Sequence, residues 1–113
     1  MVPTTMAPIA RTPEPPYYAV IFTSLRTDGD NGYAAMATEM DALARRQPGY
    51  LGIETAREQV GITVSYWQSL EAIVHWRRDL EHLVAQRLGR EQWYRAYAVR
   101  IARVERAYGF EKA

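Results

Sequence analysis

Two histidines, three tryptophans and an arginine set among alanines are the side chains of this 113-residue sequence whose chemistry reaches beyond packing. His75 and His82 stand seven residues apart, on one face of any helix that carries them, and imidazole is the side chain that exchanges a proton near neutral pH. With Asp79 between them the pair still lacks the further Glu or His ligands of a stable metal centre, so no metal is expected. Trp67, Trp76 and Trp93 offer flat walls to a planar ligand; the competing reading makes them core and interface contacts, the common use of large aromatics at element ends. Arg100 alternates with Ala98 and Ala102, which suits a small-walled cavity where an oxyanion or carboxylate sits. Its alternative is a solvated arginine on an exposed edge, paired like its neighbours with Glu91 and Glu105.

Secondary structure has to hold those side chains, and the pattern of the chain says how. Residues 1–16 contain five of the six prolines and no apolar periodicity, which predicts an extended arm. From residue 17 the run Tyr-Tyr-Ala-Val-Ile-Phe-Thr-Ser-Leu predicts a strand that carries Phe22 and is apolar on both faces. Asp30 is a candidate helix cap, and Tyr33, Met36, Ala37, Met40, Leu43 and Ala44 recur at helical spacing until Gln47-Pro48-Gly49. Leu51, Ile53 and Thr55 alternate along a second strand, and a Gln59-Val60-Gly61 link turns it into a third that ends on Trp67. Ser69 caps a second helix, with Glu71 in the first turn. Its apolar stripe, Leu70, Ile73, Trp76, Leu80, Leu83, Val84 and Leu88, is interrupted near Arg78-Asp79, which predicts a bend. His75, His82 and Gln86 ride on this helix. A long last strand runs to Val104, with Tyr97, Val99 and Ile101 on one face and Ala98, Arg100, Ala102 and Val104 on the other.

The order β-α-β-β-α-β is the ferredoxin-like α+β arrangement, in which right-handed crossovers place both helices on one face of a four-stranded antiparallel sheet. The other face then carries more apolar surface than a monomer leaves in water, so a homodimer packed sheet against sheet is expected. Composition, at 48% hydrophobic residues, suits one domain over residues 17–108 between the arm and a tail at 109–113. A formal charge of +1 gives no reason to expect nucleic acid or an anionic membrane as partner, and the third strand lacks the basic-Gly-aromatic opening of RNA-binding sheets. No apolar run approaches the roughly 18 residues of a bilayer span. The absence of cysteine removes thiol catalysis, disulfides and iron–sulfur clusters and fits a reducing compartment, so a cytoplasmic location is expected.

Trp67 at a strand end, Ser69-Leu70-Glu71-Ala72 opening the helix, Trp76 nine residues after Trp67, Glu81-His82, Gln86 and the closing Gly89-Arg90-Glu91-Gln92-Trp93-Tyr94 together resemble the antibiotic biosynthesis monooxygenase family. The resemblance covers residues 17–108 and implies a dimeric α+β barrel. It also implies a monooxygenase that works with dioxygen and without a cofactor on a small aromatic or quinol substrate. Such chemistry asks for a base, donors for the resulting oxyanion and a dry aromatic cavity. His82, on the stretch shared with the family, is then the candidate base, with Trp67 the second catalytic candidate; Phe22, Trp76, Gln86, Trp93 and Arg100 are the substrate-contacting candidates. The plainer reading of His82 is a helix histidine satisfied by a carboxylate. Thr63 and Ile73 stand where the phenol-oxidising branch carries asparagine and tyrosine, which leaves a non-catalytic ligand-binding or structural dimer as the alternative. Haem degradation is the third reading: Trp67 and Trp76 match that branch, but its iron-ligating histidine falls on Gln86, with His82 one turn earlier.

Overall fold

The computed structural model describes residues 9–86 and 92–113, and of Ala85 and Gln86 the backbone alone. The chain runs β1 (Tyr17–Arg26), α1 (Tyr33–Arg45), β2 (Tyr50–Arg57), β3 (Gly61–Trp67), α2 (Leu70–Gln86) and β4 (Tyr94–Val104). All neighbouring strands are antiparallel, in the order β2-β3-β1-β4. This is the ferredoxin-like α+β fold expected from the element order. β1 is β-branched and aromatic on both faces because it lies between β3 and β4.

Local chemistry sets the helix starts. The Asp30 carboxylate accepts from the backbone N–H of Gly32 at 2.9 Å and of Ala34 at 3.0 Å, so it satisfies the first turn of α1, although Gly32 itself occupies the cap position at φ 83°. Ser69 caps α2 as expected, its Oγ accepting from Ala72 N at 3.1 Å. α2 differs from the sequence reading in one respect: the helix is continuous through Arg78-Asp79. The break in its apolar stripe reflects Arg77, Arg78 and Asp79 sitting on the exposed side, and Leu88, the last apolar position assigned to the helix, lies outside the described residues.

Register separates the two faces of the sheet. Val20 of β1 packs with Ala44, Trp67 and Ile73 against the helices, so Tyr18, Val20, Phe22, Ser24 and Arg26 face α1 and α2, together with their partners Trp67, Ser65, Thr63 and Gly61 on β3. On β4 the same face carries Ile101, Val99 and Tyr97. The core has two centres. One joins Val20, Ala44, Trp67 and Ile73 where β3 ends; the other joins Met36, Val84 and Trp93 where β1 ends.

The outer face carries Tyr17, Ala19, Ile21, Ile62, Val64, Tyr66, Ala98, Arg100 and Ala102. The arm covers part of it. Ala10 N donates to Glu54 Oε2 at 2.9 Å, Thr12 Oγ1 donates to the Tyr17 hydroxyl at 2.8 Å, and Tyr66 donates to Glu54 Oε1 at 2.7 Å while its ring meets Tyr17 edge-on. Burial and the Glu54 carboxylate together raise the Tyr66 pKa well above the ordinary phenol value. Tyr17, which the arm meets, and Ala19 are buried in the single chain, whereas Ile62 remains 45% exposed and Ala98, Arg100 and Ala102 are open. The chain's own arm therefore shields one end of the face for which the sequence reading invoked a second copy. Among the described residues, no helix is long and apolar enough to cross a membrane.

Candidate functional site

Where β1 ends, the helix-facing side of the sheet holds an aromatic basin. Phe22 lies 5.4 Å from Tyr94 and 5.3 Å from Tyr97, and Tyr94 meets Tyr97 at 5.8 Å and Tyr33 of α1 at 5.7 Å, ring centre to ring centre. Antiparallel pairing explains the grouping: Phe22 faces Val99 and Ser24 faces Tyr97 across the β1–β4 ladder, while the irregularity at Leu25/Arg26 brings Tyr94 opposite Arg26. Tyr97 and Val99 are exposed on this side, so the basin opens along the edge strand.

Two guanidinium groups border these rings, and they are used differently. Arg26 is a clamp: its Nε donates to Trp93 O at 2.9 Å, its terminal nitrogen reaches Gly29 O and Asp30 O, and its planar head lies 3.5 Å above the Tyr33 ring. Arg57 comes from the end of β2. It passes across Gly61, where a Cβ would collide with its guanidinium, and donates to the Oγ of the buried Ser24. Burial and the hydrogen bond with Tyr33 push the Tyr94 phenol well above its ordinary pKa, with Arg57 and Arg26 opposing that shift. Tyr94 is thus a neutral hydrogen-bonding group at physiological pH. Beside it, Thr55 and Thr63 pair through their hydroxyls at 2.8 Å. An aromatic wall with a guanidinium and a hydroxyl at one end is suited to hold a planar molecule by an oxyanion.

The site residues expected from the sequence are distributed over several places. Phe22 is in the basin. Trp67 and Trp76 stack at 4.8 Å in the other core centre; Trp67 is fully buried and donates from Nε1 to Ser65 Oγ at 2.9 Å, and the buried Trp76 Nε1 has no acceptor among the described residues. Trp93 is buried behind Tyr94 and donates from Nε1 to Asn31 O at 2.9 Å. His82 lies on the exposed side of α2, and His75 meets the Arg78 guanidinium through Nδ1 at 2.9 Å. Arg100 pairs with Ile21 on the outer face, so it does not join Phe22 on the side that faces the helices. The Gln86 side chain lies outside the described residues. A shallow open groove of about 470 Å³ at the start of α2 is lined by Gly49, Ala72, His75 and Asp79 among others, and includes none of the candidates.

Arg57, Ser24, Tyr94 and Tyr97 were not singled out by sequence reasoning. A signal existed for two of them: Ser24 follows the apolar Tyr18, Val20 and Phe22 on the helix side of a central strand, and Arg57 stands opposite the one β3 residue without a side chain, Gly61. Reading it required the register of three strands at once.

No protein-family model matches the sequence. The chain is 52% identical to the uncharacterized protein YqjZ of Bacillus subtilis, over 92% of this chain and 93% of the relative. Among solved structures, it superposes on SnoaB, a cofactor-independent oxygenase from Streptomyces nogalater, with a TM-score of 0.62 at 10% identity, covering 87% of this chain and all of that one. SO0527 of Shewanella oneidensis gives 0.66 at 13% identity, covering 81% and 94%. A Bordetella bronchiseptica protein named for antibiotic biosynthesis monooxygenase gives 0.61 at 19%, covering 78% and 96%. The chain belongs to one family with Bacillus subtilis YqjZ and shares its ferredoxin-like α+β fold with SnoaB and with the Bordetella bronchiseptica protein.

Proposed function

We propose that this protein is a cofactor-independent monooxygenase that oxidises a small aromatic or quinol substrate bound in the basin formed by Phe22, Tyr94 and Tyr97. The observation that carries the reading is the pairing of that aromatic wall with the Arg57 guanidinium and the Ser24 hydroxyl, on a fold shared with a cofactor-independent oxygenase. A deprotonated phenol or anthrone supplies its own electrons to dioxygen. For an anthrone the balance is a methylene and one dioxygen going to a carbonyl and water, so the protein has only to remove a proton, hold the anion and exclude solvent. His82 is the candidate proton acceptor on the chemistry of imidazole alone, since it stands on the exposed side of α2 and not among the rings of the basin, and Trp67 backs the neighbouring core from behind Ser65.

Oxygen consumption with a panel of anthrones and hydroquinones tests this. Uptake equimolar with substrate is expected, falling sharply in Phe22→Ala; a fall of roughly 10²–10⁴-fold in His82→Ala, the usual contribution of a positioned base, would assign the proton transfer to that imidazole, and an unchanged rate would remove it from the mechanism. No uptake with any of the panel would favour the non-catalytic ligand-binding reading.

In the same proposal two copies pair through the outer face. Ile62 is exposed there, across β1 from the β4 row of Ala98, Arg100 and Ala102, and the arm leaves this part uncovered. Light scattering at micromolar concentration should give twice 13.0 kDa, and Ile62→Glu should give that mass once. A wild-type monomer at that concentration would overturn the dimer. The lack of cysteine supports a reducing, cytoplasmic setting.

A further inference from the structure

We infer that the ligand of the basin is an aromatic carboxylate, its ring held by Phe22 and Tyr97 and its carboxylate by Arg57, which Ser24 anchors; the inference rests on the proposed reading of the same site and adds the class of ligand. The argument starts from unused donors. Arg11, Arg45 and Arg103 each have a carboxylate within ion-pair distance, from Glu111, Asp41 and Glu105. Arg57 has none among the described residues, and one of its terminal nitrogens is committed to a neutral hydroxyl. A guanidinium has five N–H donors in a planar fork that matches the two oxygens of a carboxylate.

Ser24 makes the geometry directional. Its buried Oγ accepts from one terminal nitrogen of Arg57 and so fixes the fork, whose remaining N–H groups are left to meet a ligand. The second cation, Arg26, is spent on three backbone carbonyls and on Tyr33, so it adds positive potential without taking up an anion itself. Burial keeps Tyr94 neutral against the pull of both arginines, so it offers no countercharge. The side of the basin away from the arginines is aromatic. The exposed fork of Arg57 and a ring-lined wall therefore lie on one side of the sheet, within the positive potential that Arg26 adds, and a planar molecule with a carboxylate at its end satisfies both.

Gly61 is part of the device. The Arg57 guanidinium lies in the space a Cβ at position 61 would occupy, so Gly61→Ala displaces the head group from Ser24 while keeping its charge.

Calorimetric titration of the full chain at pH 7 with 2-naphthoate and its neutral counterpart 2-naphthamide tests the inference. Wild type should bind naphthoate about tenfold or more tightly than naphthamide, as expected when a charge-assisted bidentate pair replaces neutral hydrogen bonds, and added salt should narrow the gap. Arg57→Gln should bring the two affinities together, Arg57→Lys should keep part of the preference, and Gly61→Ala should weaken naphthoate alone; circular dichroism confirms that each variant is folded. Equal wild-type affinities would overturn the carboxylate assignment and leave the aromatic site standing. A preference unchanged in Arg57→Gln would overturn Arg57 as its holder. Failure of both compounds to bind at millimolar concentration would overturn this inference together with the reading of the basin as the ligand site.

Discussion

Trp67→Ala should remove about 3–5 kcal/mol of unfolding free energy, the range found when a large buried aromatic is cut back to a methyl group and the surrounding core closes only in part. The indole is 0% exposed. It stacks on Trp76, meets Tyr50 edge-on at 5.7 Å and packs against Val20, Ala44 and Ile73, residues from β1, α1 and α2, so no single neighbour can move to fill the hole. Its N–H matters separately, because Ser65 Oγ, also buried, accepts it. Trp67→Phe keeps much of the ring but leaves that hydroxyl unpartnered, at about 1–3 kcal/mol. Adding Ser65→Ala to Trp67→Phe should restore part of the loss, since the two groups form one buried pair and their costs are not additive. Urea unfolding followed by far-ultraviolet circular dichroism measures all three variants. Against a total of about 5–15 kcal/mol for a domain of this kind, Trp67→Ala takes a large share; a loss below about 1 kcal/mol would mean that this ring does not hold the two helices to the sheet.

The fold was legible in the sequence because its elements are written in local signals. The apolar period changes from two to about three and a half and back, Asp30 and Ser69 precede the helices they satisfy, and Gln47-Pro48-Gly49 ends α1 before β2. The alternation on β4 even separated Tyr97, Val99 and Ile101 from Arg100 correctly. What alternation does not say is which set looks toward the helices; that depends on the pairing of β4 with β1, the first and last strands of the chain. For this reason the alternation points to Arg100 as the anion-holding candidate, while the guanidinium beside the rings that is left to meet an anion comes from Arg57, at the end of a strand that reads as an ordinary hairpin arm. The tryptophans stand out by type, yet two of them are committed to neighbouring acceptors, Ser65 and Asn31, and sit in the packed centres, whereas tyrosines spread over α1 and β4 meet around Phe22. A site assembled from register is not written as a motif. The arm shows the same limit: its prolines predict extension, and nothing local predicts that it lies against Glu54 and Tyr17.

Gly49→Ala should cost about 2–4 kcal/mol, because it combines a left-handed backbone with an overlap that has no flexible atom to yield. Gly49 closes the turn between α1 and β2 at φ 88°, and its carbonyl accepts from Gln68 N at 2.8 Å, which ties this turn to the start of α2. A Cβ there would lie 2.7 Å from the Cβ of Ala72. An alanine side chain has no rotamer to change, so relief requires α2 to shift away from the turn, against the packing of Ile73 and Trp76. Gly32 supplies the comparison: it has nearly the same φ, 83°, and nothing within 4 Å of the added atom. Gly32→Ala therefore carries the backbone cost alone, about 1–2 kcal/mol, and the difference between the two variants isolates the overlap. A third variant separates the terms from the other side. Ala72→Gly in the Gly49→Ala background removes the colliding methyl at the price of about 1 kcal/mol for glycine inside a helix, so it should recover stability only where the overlap exceeds that amount. Chemical denaturation midpoints for the four proteins decide it: equal losses for Gly49→Ala and Gly32→Ala would show that the turn and α2 are not in contact, while a larger loss at Gly49, eased by Ala72→Gly, assigns the excess to the close approach that seats α2 on the sheet.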